Sequence, residues 1–433
     1  MHLTGFLLAC PAPHMIMSWV YPKDEMFAGT WTDIGYWAHI AKTLQRGKFD
    51  MLFFADGWAG GVNATGIKYG IQFPVHDPTT IVPYLSAVAP KLGYALTMST
   101  TFFQPYMLAR KLASLDHVTK GKIGWNIVCS ISSGEAKNFG MEELPPHDVR
   151  YGRADEFMEV CHKLWNSWEP DALMMDMERG IFADPERIHK INHVGEHFKV
   201  QGPLTVAPMP QGRPYLFQAG ASDRGRRFAV DHADCIFAVG TGIAQMRDFV
   251  DDIKSRADNA GRDPESVRIL WSAQPVVAET ASEAKVRMQE IRERIPFEAS
   301  LALMSGHFNI DLSGFDADTP VSQLEGLEIT GTKGMFESYT SRNPDITLRK
   351  IADSYLSSSD DSALAGTGDQ VADAMIQHLE DGGGDGFQIT PSYYAPQFFD
   401  DIVARLIPAL QRRGVYREDY QGKTMRDYME QSE

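Results

Sequence analysis

The chain has 433 residues, 43% of them hydrophobic and 23% charged, and its 41 basic against 57 acidic side chains leave a net charge of −16. That is enough for one large decorated domain or two ordinary ones. The acidic balance argues against nucleic acid as a partner, because phosphate binding needs a basic footprint, and equally against an anionic membrane surface, while leaving room for a local basic pocket that takes a phosphorylated cofactor. Cys10, Cys129, Cys161 and Cys235 are scattered and form no CxxC pair, which suits a reducing cytosol better than a disulfide or zinc framework. The N-terminal stretch MHLTGFLLACPAPHM lacks a basic leader region, and its apolar run is too short to span a bilayer, so a cytoplasmic location is expected.

In chain order, short apolar runs alternate with amphipathic stretches. Residues 3–9 read as a strand and 34–45 as a helix; 50–56 is a second strand, and a helix opens at 77–80, where Asp77 caps before Pro78. Residues 94–100 and 122–128 are the third and fourth strands, each with its helix, 105–117 and 152–168. Four further units follow: strand 213–220 with a helix from Ser222, strand 233–239 with helix 243–259, strand 266–278 with helix 282–294, and strand 384–390 with helix 397–412. Eight successive β-then-α units predict a parallel (β/α)8 barrel of the TIM type in one domain; a doubly wound open sheet is the alternative. A plain barrel needs roughly 250 residues, so the excess lies in insertions at about 57–76, 170–212 and 295–350, the last read as a lid over the site.

Two strand ends carry chemistry. The fourth strand is apolar except for Asn126 and opens onto Cys129 and Ser130. A buried amide needs a partner, so Asn126 faces a hydrogen-bond network or a ligand at the end of the barrel where such folds keep their chemistry. The run QAGASDRGRRFA, 218–229, ends a strand with small residues and starts a helix at or next to Ser222. Its free N–H groups, with Arg224, Arg226 and Arg227 nearby, suit a phosphate, although a simple Ser cap reads the same residues. GTGDQVAD, 366–373, lacks dinucleotide spacing and reads as a capped helix. His189, His193 and His197 recur at zinc-ligand spacing, yet the turn glycine among them reads as a hairpin, and no metal is expected.

Asp56 is the sole carboxylate closing a strand between the second and the eighth, too few for a barrel glycosidase or a metal hydrolase. The reactive group is therefore expected from an organic cofactor. Cys10 and His14 beyond the first strand, and His307 in the lid, are acid–base candidates, set against a buried thiol and ordinary loop histidines. Trp19, Trp31, Trp58, Phe102, Phe103 and Tyr106 suit a dry aromatic pocket, or equally core or dimer contacts.

FFAD, the block MSTTFFQPYMLARKLASLDHVTKGKIGWNIVCS, NFG, RYGRADEF, LWNSW, INHVGEHFKVQGPL and PQGRPYLFQAGASDRGRRFA together resemble the nitrilotriacetate and dibenzothiophene-sulfone monooxygenase family, a branch of the bacterial-luciferase-like flavin monooxygenases, over essentially the whole chain. The resemblance implies a (β/α)8 barrel that takes reduced FMN (FMNH2) from a separate NAD(P)H:flavin reductase and uses O2 to oxygenate a small organic substrate through a flavin–oxygen adduct. It places Asp56, Ser99, Thr100 and Asn126 at the flavin ring, Ser130 and Tyr151 toward the ribityl phosphate, and Ala221 and Ser222 on the phosphate. It also implies a homodimer or homotetramer. Cys129 stands where the WNxVTS motif has Thr, and Ile131, Pro13 and Ile16 stand where the long-chain alkane branch has histidines, which disfavours alkane hydroxylation. The competing readings are deazaflavin-dependent hydride transfer, a non-catalytic flavin-binding protein and a cofactor-free hydrolase.

Overall fold

Eight strands form in the places their apolar runs predict: β1 His2–Leu8, β2 Met51–Ala55, β3 Gly93–Ser99, β4 Ile123–Val128, β5 Tyr215–Gln218, β6 Cys235–Ala238, β7 Arg268–Ala273 and β8 Gly386–Ile389. They close into an all-parallel barrel in the order β1-β8-β7-β6-β5-β4-β3-β2. Runs such as MLFFA and GYALTMS are apolar on both pleats because one face meets the helical ring and the other the barrel interior. The computed structural model describes residues 1–11, 17–20, 31–58, 64–240, 242–324, 343, 345–356 and 364–430. Among the described residues no helix is long and apolar enough to cross a membrane.

The interior is packed by Phe6, Phe53, Ala95, Phe217 and Leu270, and its amino-terminal end is plugged by Met425 and Met429 of the helix Met425–Glu430. A Cβ on Gly93 or Gly124 would come within 2.7 Å of Met425, so the plug seats only against bare backbone. Beside it the fully buried Asp50 accepts from Arg417 Nη2 at 2.5 Å and from Leu3 N at 2.9 Å, with His2 Nδ1 at 3.2 Å. Burial alone would raise this carboxyl; Arg417 and His2 hold it below its ordinary value.

Several boundaries differ from the sequence reading. β7 stops at Ala273, and Val276–Val277 pairs instead with Ala365–Gly366, because Pro275 has no N–H to continue the ladder. The fourth-unit helix starts at His147, five residues early, directly after Pro146. The helix of the eighth unit is continuous from Ala395 to Arg412 but passes through a π turn, Ile402–Leu406, just before Pro408, where a missing N–H would otherwise break the ladder. The helix at 366–373 is capped, as expected, by the reciprocal pair Thr367 and Gln370.

The 170–212 insertion folds as two hairpins, Leu173–Asp176 with Ile181–Ala183 and His193–Val194 with Lys199–Val200. His189 pairs with Glu169 at 2.7 Å and His193 with Glu156 at 3.0 Å. Among the described residues no cluster of three metal ligands exists. In the 295–350 insertion, the helix Phe297–Phe308 and the start of Leu348–Leu356 share a small core of Leu301, Met304, Phe308, Val321 and Ile351. Lys68 to Glu298 at 2.9 Å ties this layer to the helix Ala64–Tyr69 of the 57–76 insertion.

Candidate active site

The carboxyl ends of β2 to β5 converge on one polar wall. Asn126 lies beside Thr97 on β3 and Phe217 on β5, so it shares the inward pleat with Phe217. Its Nδ2 donates to Thr97 Oγ1 at 2.9 Å, and Thr97 Oγ1 donates to the Phe54 carbonyl at 2.8 Å. Because the threonine proton is already committed, the amide has one orientation, and Asn126 Oδ1 is left buried with no partner. An unmet buried acceptor is expensive, which makes it a site for an incoming N–H or O–H.

Above it, Ser130 Oγ donates to Ser99 Oγ at 2.9 Å, and Ser99 Oγ also accepts from Thr101 N at 3.2 Å. Ser130 has φ +57°, a left-handed conformation that a serine adopts only at a constrained turn. Thr100 is fully buried and its hydroxyl turns back to the Val128 carbonyl at 3.3 Å. Burial pushes the Cys129 thiol up to about 11, so it is a neutral wall group at physiological pH. At the end of β2, Asp56 Oδ1 accepts from Gly57 N at 2.9 Å. Burial, reinforced by the charges of Asp77 and Glu135, raises its carboxyl to about 7. From Asp56 a cleft of about 290 Å3 runs outward between Trp58, Phe73, Phe103 and Lys111.

At β5 the strand end opens directly onto a helix start. Ser222 caps the helix Asp223–His232, its Oγ accepting from Gly225 N at 3.1 Å, and His147 Nε2 lies 3.3 Å from the same oxygen. A Cβ on Gly220 would meet Gly225 Cα at 2.9 Å, and one on Gly225 would meet Gly220 Cα and the Tyr151 hydroxyl at the same distance. Strand end and helix start are thus pressed together, and a helix start is where backbone N–H groups can meet an anion. The Tyr151 ring packs against His147 at 4.9 Å, tilted by 53°, and its hydroxyl accepts from Gln218 Nε2 at 3.4 Å; burial raises that hydroxyl, keeping it protonated. The nearby arginines do not add free positive charge: Arg224 pairs with Asp155, Arg226 with Asp252 at 2.8 Å, and Arg227 with Asp223.

A barrel with a polar mouth and a serine-capped helix start after its fifth strand narrows the choice of fold family, and comparison with known proteins decides it. The family profile described as luciferase-like monooxygenase matches residues 15–386. The chain belongs to the luciferase-like monooxygenase family. It is 38% identical to dibenzothiophene-sulfone monooxygenase from Rhodococcus erythropolis (strain XP), covering 99% of this chain and 96% of that protein. To nitrilotriacetate monooxygenase component A from Aminobacter aminovorans it is 36% identical, covering 98% and 95%. The crystal structure of a riboflavin lyase with modified FMN and riboflavin superposes with a TM-score of 0.88 at 32% identity, over 99% of this chain and 95% of that one.

In this luciferase-like monooxygenase the expected ring-end residues Asp56, Ser99, Thr100 and Asn126 gather on neighbouring strand ends; of the two residues expected toward the ribityl phosphate, Ser130 sits beside Ser99 and Tyr151 beside Gln218 of β5, where Ala221 and Ser222, expected on the phosphate, follow. Cys10 is fully buried at the end of β1, against Tyr36. His307 is half-buried, 3.5 Å from Gln72 Nε2, in surroundings that push its imidazole down to about 4. His14 lies outside the described residues. Of the aromatics, Trp58, Phe102 and Phe103 come together; Trp19 instead donates to the Tyr69 carbonyl at 2.9 Å, and Tyr106 to Thr205 at 3.2 Å.

Sequence reasoning missed Thr97, which orients Asn126, and His147, which reaches Ser222 from 75 residues away. It also missed Gln274 and Gln388, whose Oε1 atoms are buried without a partner near the ends of β7 and β8. The signal for those two was the one used for Asn126, an amide in or just beyond an apolar strand.

Proposed function

We propose that this chain is the oxygenase of a two-component FMNH2-dependent system, transferring one oxygen atom of O2 to a small organic substrate and the other to water. The observation that carries the reading is the pairing of a built anion seat at Ser222 with an unmet acceptor at Asn126, joined by a continuous polar wall. Reduced FMN supplies the two electrons and two protons that this stoichiometry requires. Ser222, the backbone about Ala221 and His147 would hold its phosphate; Ser130 and Tyr151 would reach the ribityl phosphate, and Ser99, Thr100, Asn126 and Asp56 would line its ring. Asn126 offers an acceptor held in one orientation, and Asp56, with a carboxyl near 7, can carry a proton at working pH. His307, held neutral, and Cys10 are further acid–base proposals. Trp58, Phe73 and Phe103 keep the mouth dry.

The layer containing Phe297–Phe308 is read as a cover over this mouth, on the strength of its tie to the 57–76 insertion. A separate NAD(P)H:flavin reductase is the functional partner; the relative described as component A of nitrilotriacetate monooxygenase supports a divided system. Homo-oligomerisation is supported by the hairpin that exposes Met175, Met177 and Phe182. The deciding experiment supplies enzymatically reduced FMN and candidate sulfones, sulfides, amines and chelating acids, and follows O2 uptake with product. Uptake coupled to an oxygenated product is expected. Uptake no greater than that of free reduced flavin, together with turnover of a deazaflavin, would replace this reading with hydride transfer.

A further inference from the structure

The motif NFG, Asn138 to Gly140, braces one wall of the cleft through Trp58. Asn138 Nδ2 donates to the Trp58 carbonyl at 2.8 Å, and Trp58 N donates to Glu135 Oε1 at 3.0 Å. The short helix Ser133–Asn138 after β4 therefore clamps both backbone polar groups of Trp58 on the loop after β2. Phe139, at the end of that helix, stacks on the Trp58 ring at 4.4 Å and on Phe102 at 4.5 Å, with interplanar angles of 28° and 14°. Phe103 meets the same indole edge-on at 5.3 Å. Trp58 is 37% exposed and Phe139 40% exposed. The result is a flat indole, fixed at its backbone, backed by two rings and forming part of the cleft that begins at Asp56.

The charge about that cleft is mixed but leans negative. Asp56 and Asp77 line it, and Glu135 stands directly behind Trp58 and Gly57. Among the described lining residues the lysine or arginine charge comes from Lys111, whose Nζ is drawn 5.7 Å over the Phe103 ring. The arginines of the phosphate end are already paired with carboxylates. A substrate bearing several carboxylates would meet net repulsion here, in a partly desolvated cleft where repulsion is strong. A flat uncharged molecule meets aromatic walls and loses little hydration.

We propose that the substrate cleft of this chain selects neutral, planar, aromatic or heteroaromatic molecules over polycarboxylates, with Trp58, braced by Asn138 and Phe139, as the residue that determines this choice. The inference rests on the monooxygenase reading for its chemistry, but binding alone tests it. Isothermal titration of the full chain, with and without FMN, would use two neutral tricycles, dibenzothiophene sulfone and dibenzofuran, against nitrilotriacetate. The expected result is saturable binding of at least one tricycle and about tenfold or weaker binding of nitrilotriacetate. Trp58→Ala should weaken the tricycle about tenfold or more while Trp58→Phe retains affinity within about threefold, because a ring face is what the site requires. FMN affinity measured on the same samples should be the same in all three proteins. Tighter binding of nitrilotriacetate than of either tricycle, no binding of either tricycle, or unchanged tricycle affinity in a folded Trp58→Ala protein would each overturn the proposal. Failure of the unaltered protein to bind FMN would instead count against the flavin reading and leave the substrate measurement to be judged by its own outcomes.

Discussion

Replacing Ser222 by Asp separates the two roles this residue is assigned. As a helix cap, Asp equals Ser, so the hydrogen bond to Gly225 N, 3.1 Å in length, is kept and the fold should not suffer. As a phosphate ligand, Asp is the wrong charge. A carboxylate about 5 Å from a phosphate dianion, at an effective dielectric of about 40 to 80, adds about 2–3 kcal/mol of repulsion. The lost hydroxyl donor to a charged acceptor adds about 1.5–3 kcal/mol. Together these predict a loss of FMN affinity of about a thousandfold, at about 1.4 kcal/mol for each factor of ten. Anaerobic titration with FMNH2, monitored by calorimetry, gives the affinity, and riboflavin, which has no phosphate, is the internal control. Riboflavin affinity and thermal midpoint should match those of the unaltered protein. An FMN affinity reduced by less than about threefold in Ser222→Asp would refute the phosphate seat and leave Ser222 as a helix cap alone.

Three further outcomes are expected. Asn126→Leu removes the unmet acceptor together with the donor to Thr97, so flavin affinity should fall about tenfold while thermal stability stays level or rises; normal flavin affinity would show that Asn126 is a core amide only. Asp56 has a carboxyl raised from 3.8 to about 7, so between those values the folded protein retains a proton that the unfolded chain releases. Stability should therefore decline as pH rises from about 4 to about 7, by about 2–4 kcal/mol, and Asp56→Asn should flatten that slope in melts taken at pH 5 and pH 8; parallel slopes in the two proteins would remove the buried carboxylate from the argument. Arg417→Leu strips the partner from the fully buried Asp50 and should destabilise the barrel by about 3–5 kcal/mol in urea unfolding without changing flavin affinity; a change below about 1 kcal/mol would mean His2 and Leu3 N hold the carboxylate unaided.

Much of the barrel was legible because its determinants are local. Runs such as MLFFA and GFQI are too short and too apolar to be anything but strands buried on both faces, and each is followed by a stretch with helical spacing. The errors fall where one residue changes the backbone rule, at Pro275, Pro146 and Pro408. The 295–350 insertion divides its apolar residues, Ala299 and Leu303 joining the main core while Met304 and Ile351 belong to a small core of their own, an arrangement no local pattern announces.

The site was legible in part. Asn126 stood out as a single amide among apolar neighbours, and Ser222 as a cap after small residues; both signals lie within a few positions of sequence. Which way the Asn126 amide turns depends on Thr97, 29 residues away, and on the Phe54 carbonyl to which Thr97 is already committed. The charges of Arg224, Arg226 and Arg227 looked available in sequence and are neutralised by Asp155, Asp252 and Asp223. Trp58 and Glu135 are 77 residues apart and meet only because β2, β3 and β4 are neighbours in a closed barrel. By itself, then, the sequence determined the strands, the helices and the residue types at the strand ends, since backbone periodicity and capping act over a few residues. The tertiary structure alone decided which of those side chains are satisfied by one another and which are left to meet a ligand, because hydrogen bonds and charge pairs are settled by distances that exist only once the barrel has closed.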